Sequence, residues 1–191
     1  MSTPPIPGWQ SAASDAHFSA PSQCAKRADR FERTIRIRNV IEYGAGALCL
    51  VLFGGVAAGA FYKGELLIGF ASIAIVAGFV MVMRNLRRRA SNLDRRPEDA
   101  CLAHLRRQYQ RQYDALRTIW SWYLGPLVPG LMLFYAAFAI GAADIIGWAR
   151  AIEGIVFPVA ATTALFGVIA TANMVAARSI KRKIDALDGL A

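Results

Sequence analysis

The sequence predicts an all-α integral membrane protein with four transmembrane helices in two hairpins, joined to cytoplasmic amphipathic helices. Three observations carry this: where the charges are missing, where the basic residues collect, and where the aromatic residues fall. Of 191 residues, 55% are hydrophobic, against about 45–50% in a soluble domain. No Asp, Glu, Lys or Arg lies between Glu42 and Lys63, Glu65 and Arg84, Arg117 and Asp144, or Glu153 and Arg178. The gaps hold 20, 18, 26 and 24 residues. A bilayer core of about 30 Å takes about 20 helical residues. In lipid, a helix is what satisfies such a segment's own backbone. The spans are therefore placed at 43–62, 66–83, 121–147 and 154–177.

Basic residues set the orientation. Six precede the first span, ten lie between the second and third, and four follow the fourth, which leaves only Lys63 and Arg150 in the other two loops. Positive loops stay inside, so both termini and the central segment are expected in the cytoplasm and the protein in a bacterial inner membrane. This topology absorbs most of the net charge of +9, so nucleic acid is not expected as a partner. Anionic lipid headgroups suit Arg87, Arg88, Arg89, Lys181, Arg182 and Lys183. The first apolar run lies too deep in the chain for a cleaved signal peptide. Tyr43, Trp120, Trp122 and Tyr123 fall at the inner ends of spans, and Phe61, Tyr62 and Trp148 at the outer ends. Amphipathic rings favour those depths.

Taken in order, residues 1–22 are rich in Pro, Ser and Ala and read as a disordered cytoplasmic tail. Trp9 is its exception, either a partner anchor or a chance or interfacial residue. Residues 23–42 form an amphipathic helix, with Ala28, Phe31 and Ile35 on one face. The first hairpin turns at Lys63-Gly64-Glu65. Residues 84–119 are a basic linker and then an amphipathic helix, with Pro97, Glu98 and Asp99 suited to its first turn. Leu102, Leu105, Tyr109, Tyr113, Leu116 and Trp120 follow at spacings of 3, 4, 4, 3 and 4. That stripe lies on the membrane, packs on a sister helix or docks a protein. Gly125, Pro126, Pro129 and Gly130 should kink or unwind the start of the third span. The other spans read as plain helices. A basic tail, 178–191, ends the chain. Arg84–Arg89 and Arg178–Lys183 look alike; the topology rule alone produces much of this likeness, and a duplication is the other reading.

No catalytic constellation, phosphate loop or cofactor motif is present, so the chain reads as non-enzymatic with no cofactor. Cys24 and Cys101 should face a reducing cytoplasm and Cys49 lies within a span, so no structural disulfide is expected. Cys101 and His104 make only half a metal site, and no metal is expected. The four uncharged stretches hold no Asp, Glu, Lys, Arg or His, which disfavours coupled transport. Their polar residues are Ser72, Thr162, Thr163, Thr171 and Asn173. The Ser and Thr, with Gly55, Gly59, Ala137 and Gly141, suit helix contacts, and Asn173, near the inner end of the fourth span, suits snorkelling or capping a neighbour.

Two groups of residues carry a family likeness. One is Trp9-Gln10, Arg30-Phe31-Glu32-Arg33, Ile35-Arg36, Arg38-Asn39 and Glu42-Tyr43; the other is Arg111-Gln112, Asp114, Leu116-Arg117, Ile119-Trp120, Trp122-Tyr123-Leu124, Pro126 and Pro129-Gly130. They resemble an uncharacterised family of four-helix proteobacterial inner-membrane proteins, often encoded near sigma factors of the extracytoplasmic-function type. The resemblance implies a regulatory role and brings no active site. The expected function is therefore binding of a cytoplasmic protein partner, with Trp9, Phe31 and the Leu102–Trp120 stripe as candidate contacts. The alternative is a small channel or transporter built as a homo-oligomer.

Overall fold

A computed structural model describes residues 21–94 and 100–189. All regular structure among them is helical, and four helices are long and apolar enough to cross a membrane. Trp9, Pro97, Glu98 and Asp99 lie outside the described residues.

Helix α1 spans Pro21–Tyr62. The amphipathic segment and first apolar segment are thus one rod, about 60 Å long at 1.5 Å per residue, and roughly half of it projects beyond the apolar part. Its end is a Schellman cap, which asks for a left-handed residue. Gly64 supplies that residue with φ of 80°. The Gly64 amide donates to the Phe61 carbonyl at 3.1 Å and the Glu65 amide to Ala60 at 2.8 Å. Helix α2 spans Leu66–Arg89. Arg84–Arg89 are therefore its last turns rather than a linker, because nothing in Arg84-Asn85-Leu86-Arg87-Arg88-Arg89 breaks a helix.

Helix α3 spans Cys101–Arg117. A π-helical turn, Trp120–Leu124, and a 3-10 turn, Gly125–Leu127, then lead into α4, Val128–Ile146. The prolines explain this change of winding. Pro126 has no amide proton for the Trp122 carbonyl and Pro129 none for that of Gly125. The ladder shifts register instead: the Gly125 amide donates to Trp120 and the Val128 amide to Gly125. The freed Trp122 carbonyl accepts a 2.9 Å hydrogen bond from the Asn85 amide. Helix α4 ends at Gly147, φ 82°, and α5 begins at once and spans Trp148–Asp188. The loop expected at 148–153 and the tail from 178 are thus both helix. Pro158 lies inside α5, so the fourth apolar segment is less plain than its hydropathy implies.

Helix α1 packs on α2, α2 on α4, and α4 on α5. Close approach is concentrated where α2 meets the chain around Pro126–Gly130. A Cβ on Gly130 would stand 2.8 Å from the Ile75 amide nitrogen, and one on Gly78 2.7 Å from the Pro126 carbonyl oxygen. Phe53 packs against Phe79 and Phe134, with ring centroids 6.4 and 5.7 Å away. Ala137 is buried. Gly55, Gly59 and Gly141, expected in helix contacts, face open space, and Ala57 and Ala60 form the buried face of α1 instead. The 3.6-residue period puts them on a different side of the rod. Thr162 bonds the Tyr135 hydroxyl, joining α4 to α5. Thr163, Thr171 and Asn173 each bond the carbonyl four residues back. Ser72 is fully buried.

Candidate functional site

Beyond the apolar segments, the start of α1, all of α3 and the end of α5 meet in a three-helix head. Its core is Cys24, Ala28, Leu105, Tyr109 and Ile184, flanked by Phe31, Tyr113, Ile180 and Leu187. The ring centroids of Phe31 and Tyr109 are 4.6 Å apart, edge to face. The apolar stripe of α3 is thus largely consumed inside the chain. Leu105, Tyr109 and Leu116 are buried, whereas Leu102 at 43% and Trp120 at 54% are exposed. The docking role expected of the whole stripe is corrected: Leu116 is buried, Leu105 and Tyr109 pack on α1 and α5 and keep only an edge toward the surface, and the stripe's two ends are open. Trp122 is corrected too. It is buried at 4% exposure, and its indole donates to the Ala115 carbonyl at 2.8 Å, so it serves the core rather than an interface with lipid.

Sequence reasoning missed a second stripe. His104, Gln108 and Gln112 recur every four residues on α3 and are all buried. Buried polar groups need partners, and these find them in α1 and in the segment after α2. His104 Nε2 lies 3.0 Å from Glu32 Oε1. Gln108 accepts from the Leu93 amide at 2.9 Å and donates to Asn92 at 2.8 Å. Gln112 donates to the Ala90 carbonyl at 3.0 Å and accepts from Arg38 at 3.3 Å. Asn39 donates to the same carbonyl at 3.1 Å, and Asn92 to the Glu32 carbonyl at 3.1 Å. The chain at 90–94 is thereby pinned to both helices through its own backbone groups. A run of uncharged polar residues at helical spacing in an Arg-rich helix was the available signal.

A groove of about 790 Å³ opens between α1, α3 and α5. Its floor holds Phe31, Leu105, Tyr109 and Leu187, and Lys26, Arg27, Arg30 and Lys183 stand around it. The Lys183 ammonium lies 5.8 Å from the Tyr109 ring centroid, a cation–π contact. Burial pushes the Tyr109 phenol pKa up, with Arg27 opposing it, so the floor stays neutral. The acidic residues on this end of α5 are engaged elsewhere: Asp185 pairs with Lys181 and Asp188 with Arg106. The basic cluster at 181–183 is thus split between an ion pair, an exposed Arg182 and the groove, while Arg87, Arg88 and Arg89 are all exposed.

The absence of a structural disulfide is corrected as well. Cys24 and Cys101 are disulfide-bonded, with Cα atoms 6.3 Å apart across a sequence separation of 77. The compartment argument concerns which redox state persists, and it says nothing of distance. Packing of α1 on α3 is what brings the two together. Cys101 and His104 consequently point to different partners, Cys24 and Glu32. Cys49 is free.

No protein-family model, no curated protein and no solved structure matches this chain.

Proposed function

We propose that the chain is a non-enzymatic, multi-pass protein of a bacterial inner membrane, with both termini cytoplasmic, whose head binds an acidic amphipathic segment of a cytoplasmic protein. The observation that carries this is the groove. Four cations surround an apolar floor, and none of the four has a carboxylate within 4 Å among the described residues. An acidic helix with one apolar face complements both features. Membrane insertion with the head inside follows from the uncharged segments and the one-sided basic charge. The exposed Arg87, Arg88 and Arg89 then lie at the base of the head, where anionic headgroups attract them. A regulatory partner agrees with the family resemblance of the Arg30–Tyr43 and Arg111–Gly130 stretches.

The test is photo-crosslinking in native membranes from a benzoyl-phenylalanine placed at Thr34, on the groove wall. The expected result is one dominant adduct whose crosslinked peptide is acidic, lost when Lys26, Arg27 and Arg30 are changed together to Glu. An adduct that survives the triple change, or no specific adduct, refutes the reading. Reporter fusions at Gly64 and Ala191 check topology, and export of the Ala191 reporter overturns the orientation.

A further inference from the structure

Beneath the groove lies chemistry that partner binding does not use. Cys24 and Cys101 are the covalent tie between α1 and α3, and their 6.3 Å Cα separation lies in the range that a disulfide accepts. The two sulfurs have different surroundings. Cys24 is buried at 4% exposure, among Ala28, Leu105, Tyr109 and Ile184. Cys101 is partly exposed and is the first residue of a 17-residue helix. An incoming small disulfide therefore reaches Cys101 first, which makes Cys101 the attacking thiol and Cys24 the resolving one.

We infer that Cys24 and Cys101 form a reversible thiol–disulfide latch, exchanging with low-molecular-weight disulfides such as oxidised glutathione. The Cys101 thiolate attacks one sulfur of the small disulfide and expels one thiolate, leaving a mixed disulfide on Cys101. Cys24 loses its proton to solvent, and its thiolate attacks Cys101 Sγ and expels the second thiolate. Two protein thiols have then been oxidised by two electrons and one small disulfide reduced to two thiols. Excess small thiol reverses both steps. Oxidation fastens the first turns of α1 to the start of α3. Reduction leaves that end of the groove to noncovalent contacts, the apolar core and the His104–Glu32 hydrogen bond.

Reversibility rests on the proposed orientation, because disulfides on a reducing face do not persist as permanent staples. The experiment uses the full-length protein in lipid nanodiscs, with Cys49→Ala to remove the third thiol. It is equilibrated in glutathione buffers of graded oxidation, quenched in acid and labelled with a polyethylene-glycol maleimide. The expected result is reversible passage from two labels to none. Cys24→Ser, which keeps the partly exposed Cys101, should take up glutathione several-fold faster than Cys101→Ser, which keeps the buried Cys24. A bond that survives excess thiol in the folded protein overturns the latch, as does a pair that stays reduced in excess oxidised glutathione. Labelling of spheroplasts with a membrane-impermeant maleimide separates the two readings. Reaction from outside breaks the orientation and leaves the exchange chemistry measured in nanodiscs standing.

Discussion

The apolar segments and the head are held together by different physics. In the apolar segments, α1, α2, α4 and α5 follow chain order, each packed on its neighbour. Contacts there are small residues, ring pairs, a few hydroxyls returned to their own helix and one hydroxyl pair, Tyr135 with Thr162, between helices. In the head, residues 60 to 82 positions apart bond one another: Asn92 with Glu32, His104 with Glu32, Arg38 with Gln112, and Arg106 with Asp188. The first region is specified by local hydropathy, and the second by polar groups that must find distant partners. Mutations should therefore be read by how well a neighbour can yield in the first region, and by what is left unpaired in the second.

The largest effect is expected at Gly130. A Cβ there meets backbone atoms of Ala74 and Ile75 at 2.8–2.9 Å, and backbone cannot move aside cheaply. Gly130→Val should cost about 3 kcal/mol or more, read as a fall in Tm in detergent, whereas Gly55→Ala, in open space, should leave Tm unchanged or slightly raised. Equal effects at both glycines would remove the close approach from the account.

Next comes the pinned segment. Gln108→Leu leaves the Leu93 amide and Asn92 without their partner, at about 1–3 kcal/mol. The same change at Gln112 strips one of two donors from the Ala90 carbonyl, and Asn39 still serves it. Gln108 should therefore be the costlier site, with protease cleavage at 90–94 rising first in that variant. Cleavage that does not move would mean that the network is ornamental to the segment.

The junction between the two regions should respond less. Asn85→Ala removes the donor that serves the Trp122 carbonyl freed by Pro126. About 1 kcal/mol is expected, and Pro126→Ala should offset much of it by returning an amide to that carbonyl. A double-mutant cycle with no coupling would separate the two.

The smallest effect is at Asp188. The Arg106 guanidinium beside it holds its carboxyl below the ordinary carboxylate range. A depressed folded-state pKa contributes stability above the unfolded pKa, and that contribution fades as pH falls through the folded value. The pair is exposed and screened, so Asp188→Asn should leave Tm unchanged near neutrality. Its only signature should be a slightly flatter acid limb of the pH–stability curve.

Much of the helical layout was legible in the chain alone. Four uncharged stretches of 18 to 26 residues, a Lys-Gly-Glu turn, and Gly and Pro crowded at 125–130 are local signals, and local signals fix helices and their breaks. The 3.6-residue period also marked the Leu102–Trp120 stripe as one face. It could not say whether another part of the chain already covers that face. Tertiary packing decided that it largely does, since α1 and α5 take up Leu105 and Tyr109. Packing also decided that His104, Gln108 and Gln112 are inside, that Gly130 and Gly78 rather than Gly55 and Gly59 mark the tight contact, and that Cys24 stands against Cys101. Each of these depends on which of several rods lies beside which, a choice made by the summed contacts of segments far apart in sequence. Hydropathy and local helix signals determine that the rods exist. Only their packing brings four cations and an apolar floor together into a groove.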